Sequence, residues 1–480
     1  MKRVFVMAAV ALAATLAAQT QTGVTGRWRA VVLLPTGATP EFIFELKADG
    51  PVVTGRMTGA PITLRDGRLE GDVLTLRGIN INKQEITFVG QYTPNEIVFR
   101  ASGGLGEPYH FVARRETRIQ LTGSIADPMF MQDALRRFNV PAVSIVVVRD
   151  FRIVQAVAYG VADAQTGQPA TTGTLFQAGS MSKPVAAMAG LRAAQDGRFG
   201  LDQDINTILK SWRLPEGSFT ATSKVTPRTL MSHVSGTGDS FGFPGYTPGT
   251  PLPTLQQILD GAPASITRAV RLERAPATAF EYSGGGVMIQ QLALADDVGR
   301  PFAVIAKNWI FDPIGMADST FEQPLPVARH AQAARAHDAM GARMASPWLV
   351  YPEQAAAGLW ATPSDLARFA IEVQQAVLGR SNRVLSQAFA KEMVTPVGVG
   401  PFGVGFEVSR QGEGWYFGHS GDTAGFAGDL LFHRTKGYGM VIMTNGANGG
   451  TLIQQLRRVI QLEYKWDAVD SPIPRRYGPD

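Results

Sequence analysis

The chain has 480 residues, 45 Lys and Arg against 40 Asp and Glu, and no Cys. The lack of Cys excludes disulfides, a thiolate nucleophile, Fe–S clusters, Cys-based zinc sites and a lipidated N-terminal Cys. At roughly 100–200 residues per domain the length implies two to four domains. A hydrophobic fraction of 45% supports a sizeable core, and a net charge of +5 carried by scattered Lys and Arg offers no stripe for nucleic acid.

The first 18 residues read Lys2-Arg3 and then an almost unbroken apolar run from Val4 to Ala18. A basic pair ahead of such a run is the pattern of a secretory signal peptide, and it is short for a membrane span. Residues 1–18 are therefore expected to be removed. The mature protein is expected to be exported to the periplasm or the extracellular space, with no membrane span after signal removal.

Residues 23–115 show one rhythm throughout. Phe42–Lys47 runs into Asp49-Gly50, Val52–Met57 follows, and Val73–Leu76 comes after Gly71-Asp72. Glu85–Val89 and Glu96–Phe99 continue the pattern. Short alternating runs joined by tight turns predict an antiparallel meander of about eight strands, a small all-β barrel or sandwich. Trp28 and Tyr92 are expected to pack its core.

Around Ala113–Pro128 that rhythm stops at a charged connector, Arg114, Arg115, Glu116 and Arg118. Beyond it, Ala142–Val148 and Ile153–Ala158 predict a hairpin, and helices are expected over Lys183–Gln195, Leu255–Asp260, Val287–Asp296 and Ser364–Leu378. Late strands are expected at Phe402–Val408, Gly428–His433 and Tyr438–Thr444, and a last helix at Leu452–Leu462. Strands at both ends with helices between make an α+β domain over residues 124–466. A tail, Pro-rich from Ser471, occupies residues 467–480.

Three short motifs stand in order along this domain. In Phe176-Gln177-Ala178-Gly179-Ser180-Met181-Ser182-Lys183, Ser180 and Lys183 are three apart and share a helix face. The residues that follow, Pro184 to Leu191, are apolar or small, as in a buried helix. A Lys there is expected to be desolvated, with its pKa lowered, which makes it a base for the neighbouring Ser180. The second motif is Glu281-Tyr282-Ser283-Gly284-Gly285-Gly286, a Tyr ahead of a Gly run. The third is Phe417-Gly418-His419-Ser420-Gly421-Asp422, where Gly421 lets backbone approach a ligand closely.

Together the three motifs resemble the serine β-lactamase and penicillin-binding-protein superfamily, in the class C-like branch that also holds esterases and D-amino-acid peptidases. The segments Leu230–Gly236 and Ala357–Leu366 resemble that branch as well. The resemblance implies an antiparallel sheet flanked by helices, with an α-helical lobe and the site between them. It implies Ser180 as the acylated nucleophile, Lys183 as its base partner and Tyr282 as the second proton shuttle. It also implies the backbone N–H groups of Ser180 and Asp422 as the oxyanion hole, and Gly284, His419, Ser420 and Gly421 as substrate-binding positions. Two residues depart from the family pattern. Gly284 stands where many relatives carry Asn, and His419 where β-lactamases carry Lys. Both weaken a β-lactamase reading.

Several residues invite other readings. His233 is expected to hold its loop and not to serve a triad. His330 and His337 lie seven apart with no acidic partner pattern, so no metal site is expected there. Thr362, Pro363 and Asp365 read as a helix cap. Asp429 and His433 alternate on one strand and are expected to face solvent. The leading expectation is an exported serine hydrolase of the carboxylesterase or D-amino-acid peptidase type. Its partner would be a small ester, amide or cell-wall-like molecule, and it needs no cofactor. A true β-lactamase and a non-catalytic binder of cell-wall or lipid-like ligands are the alternatives.

Overall fold

The computed structural model describes residues 23–31, 41–59, 62–80, 83–93, 96–103, 109–115, 121–221, 223–238 and 242–468. The expected signal peptide and residues 469–480 of the expected tail lie outside the described residues. The chain divides into two compact units, one ending at Arg118 and one starting at Ile119.

The first unit is built from β1 (Gly26–Val31), β2 (Glu41–Asp49), β3 (Val52–Thr58), β4 (Ile62–Glu70), β5 (Val73–Asn80), β6 (Glu85–Tyr92), β7 (Glu96–Gly103) and β8 (Tyr109–Arg115). Each strand pairs antiparallel with the next. β1 also pairs with β8, so the meander closes into a barrel and not a sandwich. Gly50 and Gly71 supply the positive φ, +58° and +62°, that the tight turns after β2 and β4 require. Alternation sends every second side chain inward. The inward set is aromatic: Phe44 stacks on Phe99 at 5.1 Å and meets Phe88 edge-on at 5.6 Å. Trp28 is fully buried, and the guanidinium of Arg115 lies 4.2 Å over its ring. Tyr92 meets the same ring edge-on at 5.8 Å. Trp28 thus serves the core, where burial of such a ring contributes about 1.5–3 kcal/mol.

The second unit holds β9 (Ala142–Arg149), β10 (Arg152–Asp163), β11 (Gln168–Pro169), β12 (Phe176–Gln177), β13 (Trp360–Ala361), β14 (Glu407–Gln411), β15 (Gly414–Thr423), β16 (Phe426–His433) and β17 (Gly439–Thr444). Seven of them form one antiparallel sheet in the order β11-β10-β9-β17-β16-β15-β14. Strand β9 is buried on both faces, which is why its sequence is an unbroken apolar run. Val143, Ile145 and Val147 face a core shared with Leu452, Leu456 and Ile460 of the helix Gly449–Glu463. Val146 and Val148 face the larger core that contains the helix Ser182–Gln195. The expected helices are all present, with ends within three residues of expectation.

Several features differ from the sequence reading, three of which bear on buried groups or on the site. The strand expected over Phe402–Val408 begins only at Glu407. Gly405 takes φ +98°, and a Cβ there would lie 2.6 Å from that of Ala187, so this stretch turns to meet the buried helix. An added helix, Pro128–Phe138, is capped by Asp127, whose side chain accepts the Met129 N–H. Asp429 and His433 do not face solvent. They are 3% and 4% exposed: Asp429 faces Arg457 of the C-terminal helix, and the His433 ring packs against Tyr416 and Tyr438. Asp429 lies 3.9 Å from the buried Arg457, and burial pushes its carboxyl up to about 6. His433 Nδ1 accepts the N–H groups of Thr435 and Lys436, and burial pushes its imidazole down to about 4. Their spacing along the strand placed them on one face; it could not say what covers that face.

Candidate active site

Ser180 sits in a single 3₁₀ turn, Gly179–Met181, that leads directly into the helix Ser182–Gln195. This helix is buried along nearly its whole length, so its small residues pack on every side and Lys183 is only 3% exposed. Lys183 Nζ lies 2.7 Å from Ser180 Oγ and donates to the carbonyl of Ala356 at 2.9 Å. It also stands 4.8 Å over the ring of Tyr282. The first two motifs, about a hundred residues apart in the chain, therefore meet at the Lys183 side-chain nitrogen.

Tyr282 precedes the helix Gly284–Val298, whose N-cap Ser283 accepts the Gly286 N–H at 2.7 Å. His233 fixes this entry from below. Its Nδ1 accepts the Ser283 N–H at 3.1 Å, and its ring lies 4.3 Å from that of Tyr282. His233 thus holds its loop and the Tyr282 segment together, as expected of it.

The third motif lies on β15. His419 Nδ1 is 2.6 Å from the carbonyl of Ser420. A carbonyl only accepts, so Nδ1 carries the proton, and Nε2 is left as an acceptor. The Tyr282 hydroxyl is 3.5 Å from that Nε2 and donates to it. Burial, with the charge of Lys183 beside it, pushes the His419 imidazole down to about 3. His419 is therefore neutral at physiological pH, and at 1% exposure it lies behind Tyr282.

Glycines bring β15 against the Ser180 turn. A Cβ on Gly421 would lie 2.0 Å from the Ala178 carbonyl and 2.9 Å from Ser180 N. One on Gly179, which has φ +50°, would lie 2.9 Å from Asp422 N. Only glycine at both positions lets the two backbones approach this closely, and the approach makes the Ser180 and Asp422 amides neighbours. Gly284 is also tightly placed, since a Cβ there would lie 2.3 Å from Cε2 of Phe243.

The remaining sequence candidates take structural places. His337 donates from Nδ1 to the Asn445 carbonyl at 2.9 Å and accepts the Ala164 N–H at Nε2, 3.1 Å away. His330 packs edge-on against Trp348 at 4.9 Å. Thr362 caps the helix Pro363–Val377 through the Asp365 N–H.

Sequence reasoning missed the partners of Lys183. The Ala356 carbonyl is backbone and leaves no residue signal. It belongs to the short helix Gln354–Ala357, which Gln291 braces by accepting the Ala355 N–H at 2.8 Å. Glu353 opens that helix at 1% exposure, with its Oε2 unpartnered among the described residues. Burial pushes its carboxyl from 4.5 up to about 7. In the unfolded chain the proton leaves near 4.5, so between the two values the unfolded state binds fewer protons and stability falls as pH rises. The loss across that window is about 3 kcal/mol. Glu353→Gln is expected to flatten it, so that Tm changes less between pH 5 and pH 8 than in the wild type. An unchanged Tm–pH profile in the variant would reject this account.

A family model described as Beta-lactamase matches residues 130–465 and leaves the barrel outside. Esterase EstB of Burkholderia gladioli is 28% identical over 338 residues, 61% of this chain and 78% of the relative. Protein flp of Staphylococcus aureus (strain N315) is 22% identical over 65% of this chain, which spans 61% of that relative's length. Among solved structures, a penicillin-binding protein homologue from Pyrococcus abyssi superimposes with a TM-score of 0.59 at 21% identity, over 72% of this chain and 78% of that one. D-amino acid amidase from Ochrobactrum anthropi SV3 superimposes with a TM-score of 0.57 at 23% identity, over 70% of this chain and 98% of that one. The fold is shared with both.

Proposed function

The chain belongs to the Beta-lactamase family and is a serine hydrolase, and on that premise we propose that it cleaves esters or small amides through an acyl-enzyme on Ser180. The observation that carries this reading is the 2.7 Å contact between Ser180 Oγ and a buried Lys183 that stands over the Tyr282 ring. In acylation, Ser180 Oγ bonds to the substrate carbonyl carbon and gives its proton to the Lys183 amine. The Ser180 and Asp422 amides receive the oxyanion, where each preorganised donor contributes about 3–4 kcal/mol. Lys183 hands that proton on to Tyr282, whose own hydroxyl proton goes to the leaving oxygen or nitrogen as the bond to carbon breaks. In deacylation a water bonds to the acyl carbon, loses its proton to the same pair, and Ser180 Oγ leaves reprotonated. Gly284, Ser420 and Gly421 border the substrate in this reading, and His419 reaches it only through the Tyr282 hydroxyl.

The names of two relatives, an esterase and a D-amino acid amidase, support the ester and small-amide classes. The basic pair and apolar run at the N-terminus support export. A complete set of Ser180, Lys183 and Tyr282 speaks against a non-catalytic binder.

β-Lactamase activity is the second reading, and the charge at His419 bears on it. A neutral imidazole supplies no cation to a substrate carboxylate. A missing charged hydrogen bond is worth about 1.5–3 kcal/mol, or about tenfold to a hundredfold. Short p-nitrophenyl esters are expected to exceed nitrocefin in kcat/KM by at least that lower factor. Nitrocefin turnover above that of every ester tried would replace this reading with a true β-lactamase.

A further inference from the structure

Gln177 lies three residues ahead of Ser180 and is 2% exposed. A primary amide sealed this far from water has to find its partners within the protein. Gln177 Nε2 donates to the Leu349 carbonyl at 2.7 Å, and its Oε1 accepts the hydroxyl of Thr423 at 3.1 Å. One side chain therefore joins three segments that are far apart in the chain.

Two of the three are fixed by their own backbone. Gln177 pairs with Trp360 between β12 and β13, and the next residue, Ala178, donates its N–H to the Leu359 carbonyl at 2.9 Å. Leu349 precedes Val350, which exchanges two backbone hydrogen bonds of 2.8 Å with Tyr246. The third segment bears on the chemistry. Thr423 ends β15, opposite Phe426 at the turn into β16, and directly follows Asp422, whose amide is the second candidate oxyanion donor. Gly179 and Gly421 let this strand end come against the Ser180 turn. Glycine removes an obstacle but gives no direction, whereas a hydrogen bond fixes both direction and distance. Only Ala178 and Gly179 stand between Gln177 and Ser180. The bond from Thr423 to Gln177 thus closes a short circuit with the Ser180 amide on one side and the Asp422 amide on the other.

Resting on the acyl-enzyme reading, we propose that Gln177 is a positioning residue for the oxyanion hole: by holding Thr423 it sets the separation of the Ser180 and Asp422 amides. It touches no reacting atom. Oxyanion donors act from about 2.7–3.1 Å on an oxygen that carries its charge only in the transition state. A strand end that drifts therefore costs rate and leaves substrate binding alone.

The test uses the full chain. Wild type, Gln177→Leu, Thr423→Val, Thr423→Ser and the double variant Gln177→Leu/Thr423→Val are compared on p-nitrophenyl butyrate. Each is also titrated with butylboronic acid. Its boron bonds to Ser180 Oγ as the Oγ proton passes to Lys183, which leaves a tetrahedral anion that needs the oxyanion hole. Thr423→Val keeps the shape of the side chain and removes the hydroxyl; Thr423→Ser keeps the hydroxyl. In Gln177→Leu and Thr423→Val, kcat is expected to fall at least about tenfold with KM within threefold of wild type. The boronate Ki is expected to rise by a similar factor. Thr423→Ser is expected to stay within threefold of wild type throughout. The double variant is expected to be no more than threefold worse than the worse single one, because both changes break the same link.

If Gln177→Leu does not fold, the two Thr423 variants decide. A kcat within threefold of wild type in Thr423→Val would overturn the proposal. So would a loss carried by KM, a boronate Ki that stays put while kcat falls, a Thr423→Ser as impaired as Thr423→Val, or single losses that multiply in the double variant. Failure of a serine-directed phosphonate to label wild-type Ser180 would overturn the nucleophile reading first, and the proposal with it. Normal labelling of Ser180 beside an unaffected Thr423→Val would overturn the proposal alone.

Discussion

A serine-directed phosphonate is expected to add one adduct to this protein, on Ser180, and Ser180→Ala is expected to take none and to lose at least about a thousandfold in kcat. The protein contains other serines close by, which makes the expectation sharp. Ser182 is two residues away and equally buried, but its hydroxyl donates to the Gly179 carbonyl at 2.6 Å and accepts the Leu359 N–H at 3.0 Å. It is committed to holding the turn. Ser283 is committed to capping its helix. Ser180 alone of the three is paired with a lysine side chain, and its turn lies where the β15 amide of Asp422 is a neighbour. Intact-mass spectrometry after labelling, followed by peptide mapping, reads the result. A label on Ser182 or elsewhere with Ser180 unmodified would remove the basis of the proposed chemistry.

The parts of this site that the sequence reveals are those written as side chains at short spacing. Ser180 and Lys183 are three apart ahead of an apolar run, and a helix with small residues on every face has to be buried. Tyr282 before three glycines and His419 before Ser420-Gly421 are visible for the same reason. The barrel was legible because hairpin turns need Gly at positive φ and strands alternate. What the sequence hides is what depends on a partner from elsewhere. Asp429 and His433 look like solvent-facing residues until Arg457 of the helix Gly449–Glu463 is laid against the first and the rings of Tyr416 and Tyr438 against the second. Phe402–Phe406 has the composition of a strand, yet Gly405 bends it into the helix of Lys183. The Ala356 carbonyl has no side-chain signature at all. Glu353 reads as an ordinary acidic residue because nothing local announces that its carboxyl is sealed. Gly284 shows the same limit from the other side, since its departure from the family pattern was plain but Phe243, the ring that explains it, lies 41 positions earlier.

Lys183→Ala and Tyr282→Phe are each expected to lower kcat by at least about a hundredfold, the size of a lost general acid–base. The two changes differ in what else they disturb. Tyr282→Phe removes only the hydroxyl. The ring keeps its place over His233 and under Lys183, so the loss reports the proton and not the packing. It also leaves His419 Nε2 without the phenol that donates to it. That nitrogen belongs to a neutral ring already held by the Ser420 carbonyl, so the histidine has no cause to move. Lys183→Ala removes the contact to the Ala356 carbonyl together with the one to Ser180. Its Tm must be read beside its rate, and an unchanged Tm assigns the loss to the missing amine. Because Lys183 and Tyr282 handle the same proton in sequence, the double variant is expected to lose far less than the product of the single losses. Steady-state rates on the best short ester, with single-turnover acylation measured alongside, decide the point. Near-wild-type activity in Tyr282→Phe would take the phenol out of the proton path. Losses that multiply fully, to about ten thousandfold, would mean that the two groups act on different protons, with Lys183 serving Ser180 and Tyr282 serving the leaving group alone.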